Sequence, residues 1–144
     1  ARAANIEIPT LCYMKEINAI GACRICVVEV KGARSLVAAG VYPVNEGMEV
    51  FTNTPKIGQA RKTNLELVLS AHKKKCLTCI RNRNCELQNL AEELGVTELR
   101  YEGENEKYAL DCSSTSLVRD NNKCTSTVNK IIQNTTQSHR TFFV

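Results

Sequence analysis

The first third of the chain breaks its apolar residues into short stretches, Ile6 to Leu11, Ile25 to Val30, Ser35 to Val41 and Met48 to Phe51, punctuated by turn signals at Lys31-Gly32 and Asn45-Glu46-Gly47. Val27, Val28, Val30 and Val50 are β-branched and suit a pleated, half-buried surface, so residues 1–53 read as a small β-rich unit. The opening ARAANIEIPTLC reads as the end of a helix running into a strand or loop, and the natural start is expected upstream of it. Thr54-Pro55 then supplies a capping hydroxyl followed by proline at the first helical position, where a missing N–H costs nothing.

Ile57, Ala60, Asn64, Leu65, Val68 and Leu69 recur at helical spacing, which predicts a helix that delivers His72 near its C-terminal end. Arg61, Lys62 and Glu66 are read as its solvated face. Leu87, Leu90, Ala91 and Leu94 predict a second helix after Cys85, terminated by Gly95 in a left-handed conformation. From Val96 to Cys124 the chain is polar and extended, with Tyr101, Tyr108, Leu110, Leu117 and Val118 as the residues to bury. The last stretch, 125–144, is rich in Ser, Thr, Asn and Gln and has little periodicity beyond Ile131-Ile132 and Phe142-Phe143-Val144, so no fold is assigned to it.

A length of 144 residues with 43% apolar content supports a core of modest size and one ordinary domain or two small ones, too little for a large enzyme. The net charge of +4 is a mild excess that calls for no nucleic acid. No apolar run reaches the roughly 18 residues of a membrane span, and the N-terminus lacks a signal-peptide pattern. Eight cysteines change the picture, because they must serve either as disulfides or as ligands. Cys23 with Cys26 and Cys76 with Cys79 form C-x2-C pairs, a spacing that suits a shared metal centre and a reducing compartment.

The strongest constellation is His72-x3-Cys76-x2-Cys79-x5-Cys85, four soft or borderline donors flanked by two helices. A [4Fe-4S] cube takes one ligand per iron, and a tight loop can wrap its corners. A Cys3His structural zinc site uses the same donors, so spacing alone leaves zinc open, with a zinc-stabilised interaction module as the corresponding function. On a cube, neutral imidazole in place of a thiolate would make the centre one unit less negative and easier to reduce. Lys73, Lys74, Lys75, Arg81 and Arg83 interleave with these ligands and would offset thiolate charge or guide a redox partner; with no aromatic residues among them they do not read as a nucleic-acid surface. The second constellation, Cys12-x10-Cys23-x2-Cys26, is one thiolate short of the four that a [2Fe-2S] cluster needs. No residue is placed for acid-base or nucleophilic catalysis. Cys112 reads as a free thiol, and His139 as a solvated side chain.

Together, IPTLCY, GACRICVVEVKGARSLVAAG, VYPVNEGMEV, TNTPK and HKKKCLTCIRNRNCELQNLAEELG resemble the N-terminal accessory region of [FeFe]-hydrogenases and the related large iron-sulfur subunit of NADH dehydrogenases, over about Ile6 to Cys124. The resemblance implies an α+β architecture. A truncated β-grasp, 2Fe-2S ferredoxin-like unit would occupy 1–53 and a small helical His(Cys)3 [4Fe-4S] module 54–95, followed by a linker over 96–124 toward a further ferredoxin domain and a divergent tail over 125–144. It favours iron and sulfide over zinc, with His72, Cys76, Cys79 and Cys85 on the cube and Cys12, Cys23 and Cys26 on the [2Fe-2S] cluster. The fourth ligand of that cluster would fall at Gly40, which has no side chain; water, Ser35 and Cys112 are candidate substitutes, and a labile or absent [2Fe-2S] cluster is the alternative. Cys124 is followed by Thr125-Ser126-Thr127 where the family pattern continues with cysteines, and so reads as an orphan ligand.

The expected function is relay of single electrons to or from a catalytic domain outside this chain, with an [FeFe]-hydrogenase parent preferred and an NADH dehydrogenase subunit as the alternative. The expected partners are a redox carrier, either a ferredoxin or an NAD(P)H-oxidising subunit, and the remainder of the parent enzyme. The expected compartment is the cytoplasm, or the matrix of a hydrogenosome or mitochondrion.

Overall fold

A computed structural model describes residues 1–14, 18–72, 74–103, 109–114 and 118. Its centre is β3 (Val27–Val30), the most apolar run of the β-rich unit, buried on most of its length. β4 (Val37–Ala38) and β5 (Val50–Phe51) flank it, both antiparallel, and divide it between them. Val27 and Val28 pair with Ala38 and Val37, while Glu29 and Val30 pair with Phe51 and Val50. A separate two-stranded ladder joins β1 (Tyr13–Met14) to β2 (Asn18–Ala19). Two expected turns are present, with Gly32 and Gly47 at φ of 85° and 73°, a region that glycine enters without steric cost. Ile6 to Pro9 forms no strand, and the chain enters it from a single 3-10 turn over Arg2–Ala4.

Helix α1 (Pro55–Ser70) begins as its sequence predicts: Thr54 caps it by accepting a hydrogen bond from the Ile57 N–H at 3.3 Å, and Pro55 occupies its first turn. The Thr54 hydroxyl also donates to the Glu29 carboxylate at 3.2 Å, and Lys56 reaches the same carboxylate at 3.3 Å. These contacts fasten the start of α1 to β3. Helix α2 (Glu86–Glu93) ends in a Schellman motif, with Val96 N–H bonded to Ala91 carbonyl, Gly95 N–H to Glu92 carbonyl, and Gly95 at φ of 61°.

One apolar core crosses the junction near residue 54. Cys12, Cys23 and Ile25 pack with Leu65 and Val68 of α1 and Leu87 and Leu90 of α2. Ile57 and Leu65 are fully buried, and burial of aliphatic side chains of this size contributes about 1.5–3 kcal/mol each. The two helices thus supply the cover that a short sheet cannot provide alone.

Three expectations change. Arg61 and Glu66 are not on the solvated face: they are 7% and 1% exposed. Glu66 is paired at 2.8 Å with Arg100, which belongs to the stretch read as polar and extended. Residues 100–103 of that stretch lie along α1, and a side chain at Gly103 would meet the Ser70 hydroxyl at 2.9 Å. Tyr101, Leu110 and Val118 are exposed rather than buried. Tyr108, Leu117, Cys124, His139 and the tail lie outside the described residues.

Replacing Leu65 by Ala should lower the unfolding free energy by about 2–5 kcal/mol, whereas Leu67→Ala on the exposed side of α1 should change it by no more than about 0.5 kcal/mol. Urea denaturation of the two variants measures the difference.

Candidate metal centres

The first thiol group sits on the turn leading into β3. Cys23 and Cys26 bracket Arg24 and Ile25, and both cysteines are buried. Arg24 adopts φ of 54°, a left-handed conformation that a residue with a Cβ enters at some cost, and it is held there from outside the turn. The Asn64 amide of α1 donates to the Arg24 carbonyl at 2.8 Å. Cys12 approaches from the preceding segment and accepts the Cys23 backbone N–H on its sulfur at 3.5 Å. Burial pushes the Cys23 thiol up from the ordinary 9.0; the Ile25 backbone opposes that rise, and the adjoining Cys12 adds to it.

Arg61 reaches the same turn from the helix. Its Nη2 donates to the Val27 carbonyl at 3.0 Å, and among the described residues its buried Nε has no hydrogen-bond partner. Burial pushes the guanidinium down from its ordinary value, and the opposite charges of Cys26 and Glu93 act against that. A buried cation beside thiol sulfurs is costly in an apolar setting and becomes favourable when the sulfurs carry negative charge. Arg61 and Asn64 were missed as parts of the site. Position 61 falls four residues after Ile57 and four before Leu65, on the apolar stripe itself, and that register was the available signal.

Gly40 lies where the resemblance puts the missing ligand. A Cβ at this position would stand 3.6 Å from Cys26 Sγ and 3.6 Å from the Tyr13 ring. Residue 40 therefore faces the thiol group but brings no donor. Ser35 and Cys112 are both exposed on the surface. The three buried thiols fit a two-iron centre in donor type, short by one ligand.

The second group rings the connection between α1 and α2. His72 follows the end of α1, its backbone N–H bonded to the Leu69 carbonyl and its Nδ1 screened from solvent. Cys76 opens a 3-10 turn, Cys76–Thr78, and Cys79 closes it by donating its backbone N–H to the Cys76 carbonyl at 3.0 Å. Arg83, at φ of 66°, turns the chain toward Cys85, the residue that caps α2. Gln88 of α2 accepts the Arg83 N–H at 3.1 Å and donates to Asn82 at 3.2 Å, so the loop is stitched to the helix it precedes. Cys76 is exposed, and Cys79 and Cys85 are half-buried. Among the described residues no three His, Cys, Asp or Glu side chains converge at metal-holding distance. The donor set suits a cube, and the exposed loop carrying Cys76 and Cys79 is the segment that would close around it. Lys74, Lys75, Arg81 and Arg83 are exposed around these ligands, and Lys73 lies outside the described residues.

Residues 61–100 match the iron-sulfur binding region of NADH-ubiquinone oxidoreductase-G, and residues 1–55 match a 2Fe-2S iron-sulfur cluster binding domain. The chain is 45% identical over 130 residues to the NADP-reducing hydrogenase subunit HndD of Solidesulfovibrio fructosivorans, covering 86% of this chain and 22% of that subunit. It is 38% identical over 96 residues to the NADH-ubiquinone oxidoreductase 75 kDa subunit of Reclinomonas americana, covering 67% of this chain and 14% of that subunit. It thus spans a minor part of the length of either relative. A crystal structure of an NAD+-reducing [NiFe]-hydrogenase superposes with a TM-score of 0.79 at 30% identity, over 88% of this chain and 53% of that one. Both matched regions are cluster-binding, so the metal is iron with sulfide, as [2Fe-2S] and [4Fe-4S], and not zinc. The preferred [FeFe]-hydrogenase origin is too narrow, since these relatives divide between NADH-ubiquinone oxidoreductase and NAD(P)-reducing hydrogenases. The chain belongs to the N-terminal iron-sulfur region shared by the iron-sulfur subunits of NADH dehydrogenases and of NAD(P)-reducing hydrogenases, a 2Fe-2S ferredoxin-like domain joined to a 4Fe-4S region.

Proposed function

We propose that this chain relays single electrons between an NAD(P)H-oxidising subunit or another redox carrier and the remainder of a larger oxidoreductase, of the NADH dehydrogenase or NAD(P)-reducing hydrogenase kind. In this reading His72, Cys76, Cys79 and Cys85 hold a [4Fe-4S] cluster. Cys12, Cys23 and Cys26 hold three positions of a [2Fe-2S] cluster in the 2Fe-2S ferredoxin-like unit. When bound, the clusters supply one-electron chemistry; the chain supplies position, charge and access.

The observation that carries the reading is that one helix serves both groups. α1 grips the Cys23–Cys26 turn through Arg61 and Asn64, and its far end leads into His72. Between Arg61 and His72 the axial rise is about 16 Å, so two centres built on these residues would be near neighbours with a fixed spacing. The exposed loop of the second group carries Leu77 and Ile80, 93% and 96% exposed, framed by basic residues. A mixed apolar and basic surface of this kind suits docking of a redox partner with an acidic face. Among the described residues no helix is long and apolar enough to cross a membrane. Use of the cysteines as ligands favours a reducing compartment, the cytoplasm or the matrix of a hydrogenosome or mitochondrion.

Two measurements test this reading. Anaerobic reconstitution should yield about four iron and four sulfide per chain for the cube, and His72→Cys should keep that count while lowering its midpoint potential by on the order of 100 mV. Zinc without sulfide, or a potential that rises in His72→Cys, would sink the assignment. Arg61→Gln retains a donor for the Val27 carbonyl but removes the buried cation, and should lower the potential of the [2Fe-2S] cluster while leaving that of the cube in place. EPR-monitored redox titration reads both centres separately.

A further inference from the structure

We propose that Gly40 leaves one coordination position of the [2Fe-2S] site open to a ligand from outside the chain, and that a small organic thiol, favoured when it also carries a carboxylate, takes it. The inference rests on the reading that Cys12, Cys23 and Cys26 hold that cluster.

Nothing in the backbone asks for glycine here. Gly21 and Gly103 are confined, since a Cβ at either would meet a neighbour at 2.9 Å, whereas at Gly40 the nearest atoms stand at 3.6 Å or more, ordinary contact distances. Nor does Gly40 take a positive φ. The position could hold a side chain directed at Cys26 Sγ, and lacks one. A cavity of about 270 Å³ opens at the same place, lined by Arg2, Ile8, Thr10, Tyr13, Cys26 and Gly40 among others.

The donors that this cavity offers are poor ones. Beyond Cys26 its side-chain donors are the Thr10 hydroxyl and the Tyr13 phenol, hard oxygens that match iron bound to sulfide less well than a thiolate does. Among the described residues neither Ser35 nor Cys112 lines it, nor does any carboxylate. Charge points the same way: the Arg2 guanidinium lies over the Tyr13 ring, 5.6 Å from its centroid, and gives the cavity a cation. A thiol taken up here would give its proton to solvent and supply the sulfur donor that residue 40 lacks. No electron changes hands, and the thiol's carboxylate remains beside Arg2.

The test is anaerobic reconstitution of the full chain with iron and sulfide in the absence of thiols, followed by titration with mercaptoacetate or with cysteamine. Retained iron and sulfide, visible absorbance and EPR of the reduced sample are read out. In the wild type, mercaptoacetate should restore about two further iron and two sulfide per chain with saturation, at several-fold lower concentration than cysteamine. Gly40→Cys should retain them with no thiol added and give a spectrum that thiols do not change. Gly40→Ala places a methyl near Cys26 Sγ without a donor, and should lose the thiol response while the cube signal reports an intact fold.

If the wild type forms the two-iron cluster equally well without thiol, or loses it in Tyr13→Phe, an internal ligand fills the position and the proposal is overturned. If Gly40→Cys assembles the cluster but the wild type never does with either thiol, the open position takes no thiol, and the three-cysteine reading survives. If neither chain assembles it while the cube forms, the three-cysteine reading itself fails, and the proposal with it.

Discussion

The contact between α1 and the cysteine turn before β3 is the constraint on which the rest of the molecule depends. Two polar side chains, Arg61 and Asn64, bind the carbonyls of Val27 and Arg24, and Leu65 beside them packs into the core with Ile25. A buried arginine with one nitrogen unsatisfied among the described residues is a poor way to stabilise an apolar core. It is a good way to fix a backbone turn and to place a positive charge beside the buried cysteine sulfurs. The left-handed Arg24 fits the same logic, because a strained residue persists only where its surroundings over-determine it.

From that contact the remaining architecture follows in order. The sheet is too short to form a stable layer alone, so α1 covers it, with Glu29 of β3 binding both the capping Thr54 and Lys56 at the helix start. α2 then packs against α1 and orders the loop between them through Gln88. The returning chain closes the other flank, where Arg100 satisfies the buried carboxylate of Glu66. An unpaired carboxylate at that depth would be costly, so the docking of Arg100 is coupled to the burial of Glu66. The modules thus share one core, which α1 spans.

Elements with a local physical signal were legible in the sequence. Thr54-Pro55 marks a helix start by its own chemistry, Gly95 marks an end, and the β-branched run at Val27–Val30 marks the buried strand. The metal-binding character of the cysteines was legible as well, because ligand spacing is a short-range property. What escaped depends on tertiary placement. Arg61 and Glu66 look like surface residues by type, and only the packing of β3 and Arg100 against α1 makes them interior. The stretch after Val96 has too few apolar residues to announce that it docks, since it does so through one ion pair and the absence of a side chain at Gly103. The choice of parent family was not a physical question at all: the same ligand pattern serves several enzymes, and fold-level likeness does not separate them.

The two cysteine loops use one device in opposite settings. Each is turned by an arginine at positive φ, Arg24 in the first and Arg83 in the second, and each is pinned by an amide side chain from an adjacent helix, Asn64 or Gln88. The first lies under a helix with its thiols buried, and the second projects with Cys76 in solvent. Burial disfavours added negative charge and exposure tolerates it, so the same chemistry placed in these loops would differ in how readily it accepts an electron. The buried cation at Arg61 beside the first group would act against that difference, whereas a neutral imidazole at His72, in place of a thiolate, would add to it. Charge placed by the fold, rather than ligand type alone, is therefore what would set the order in which such centres fill.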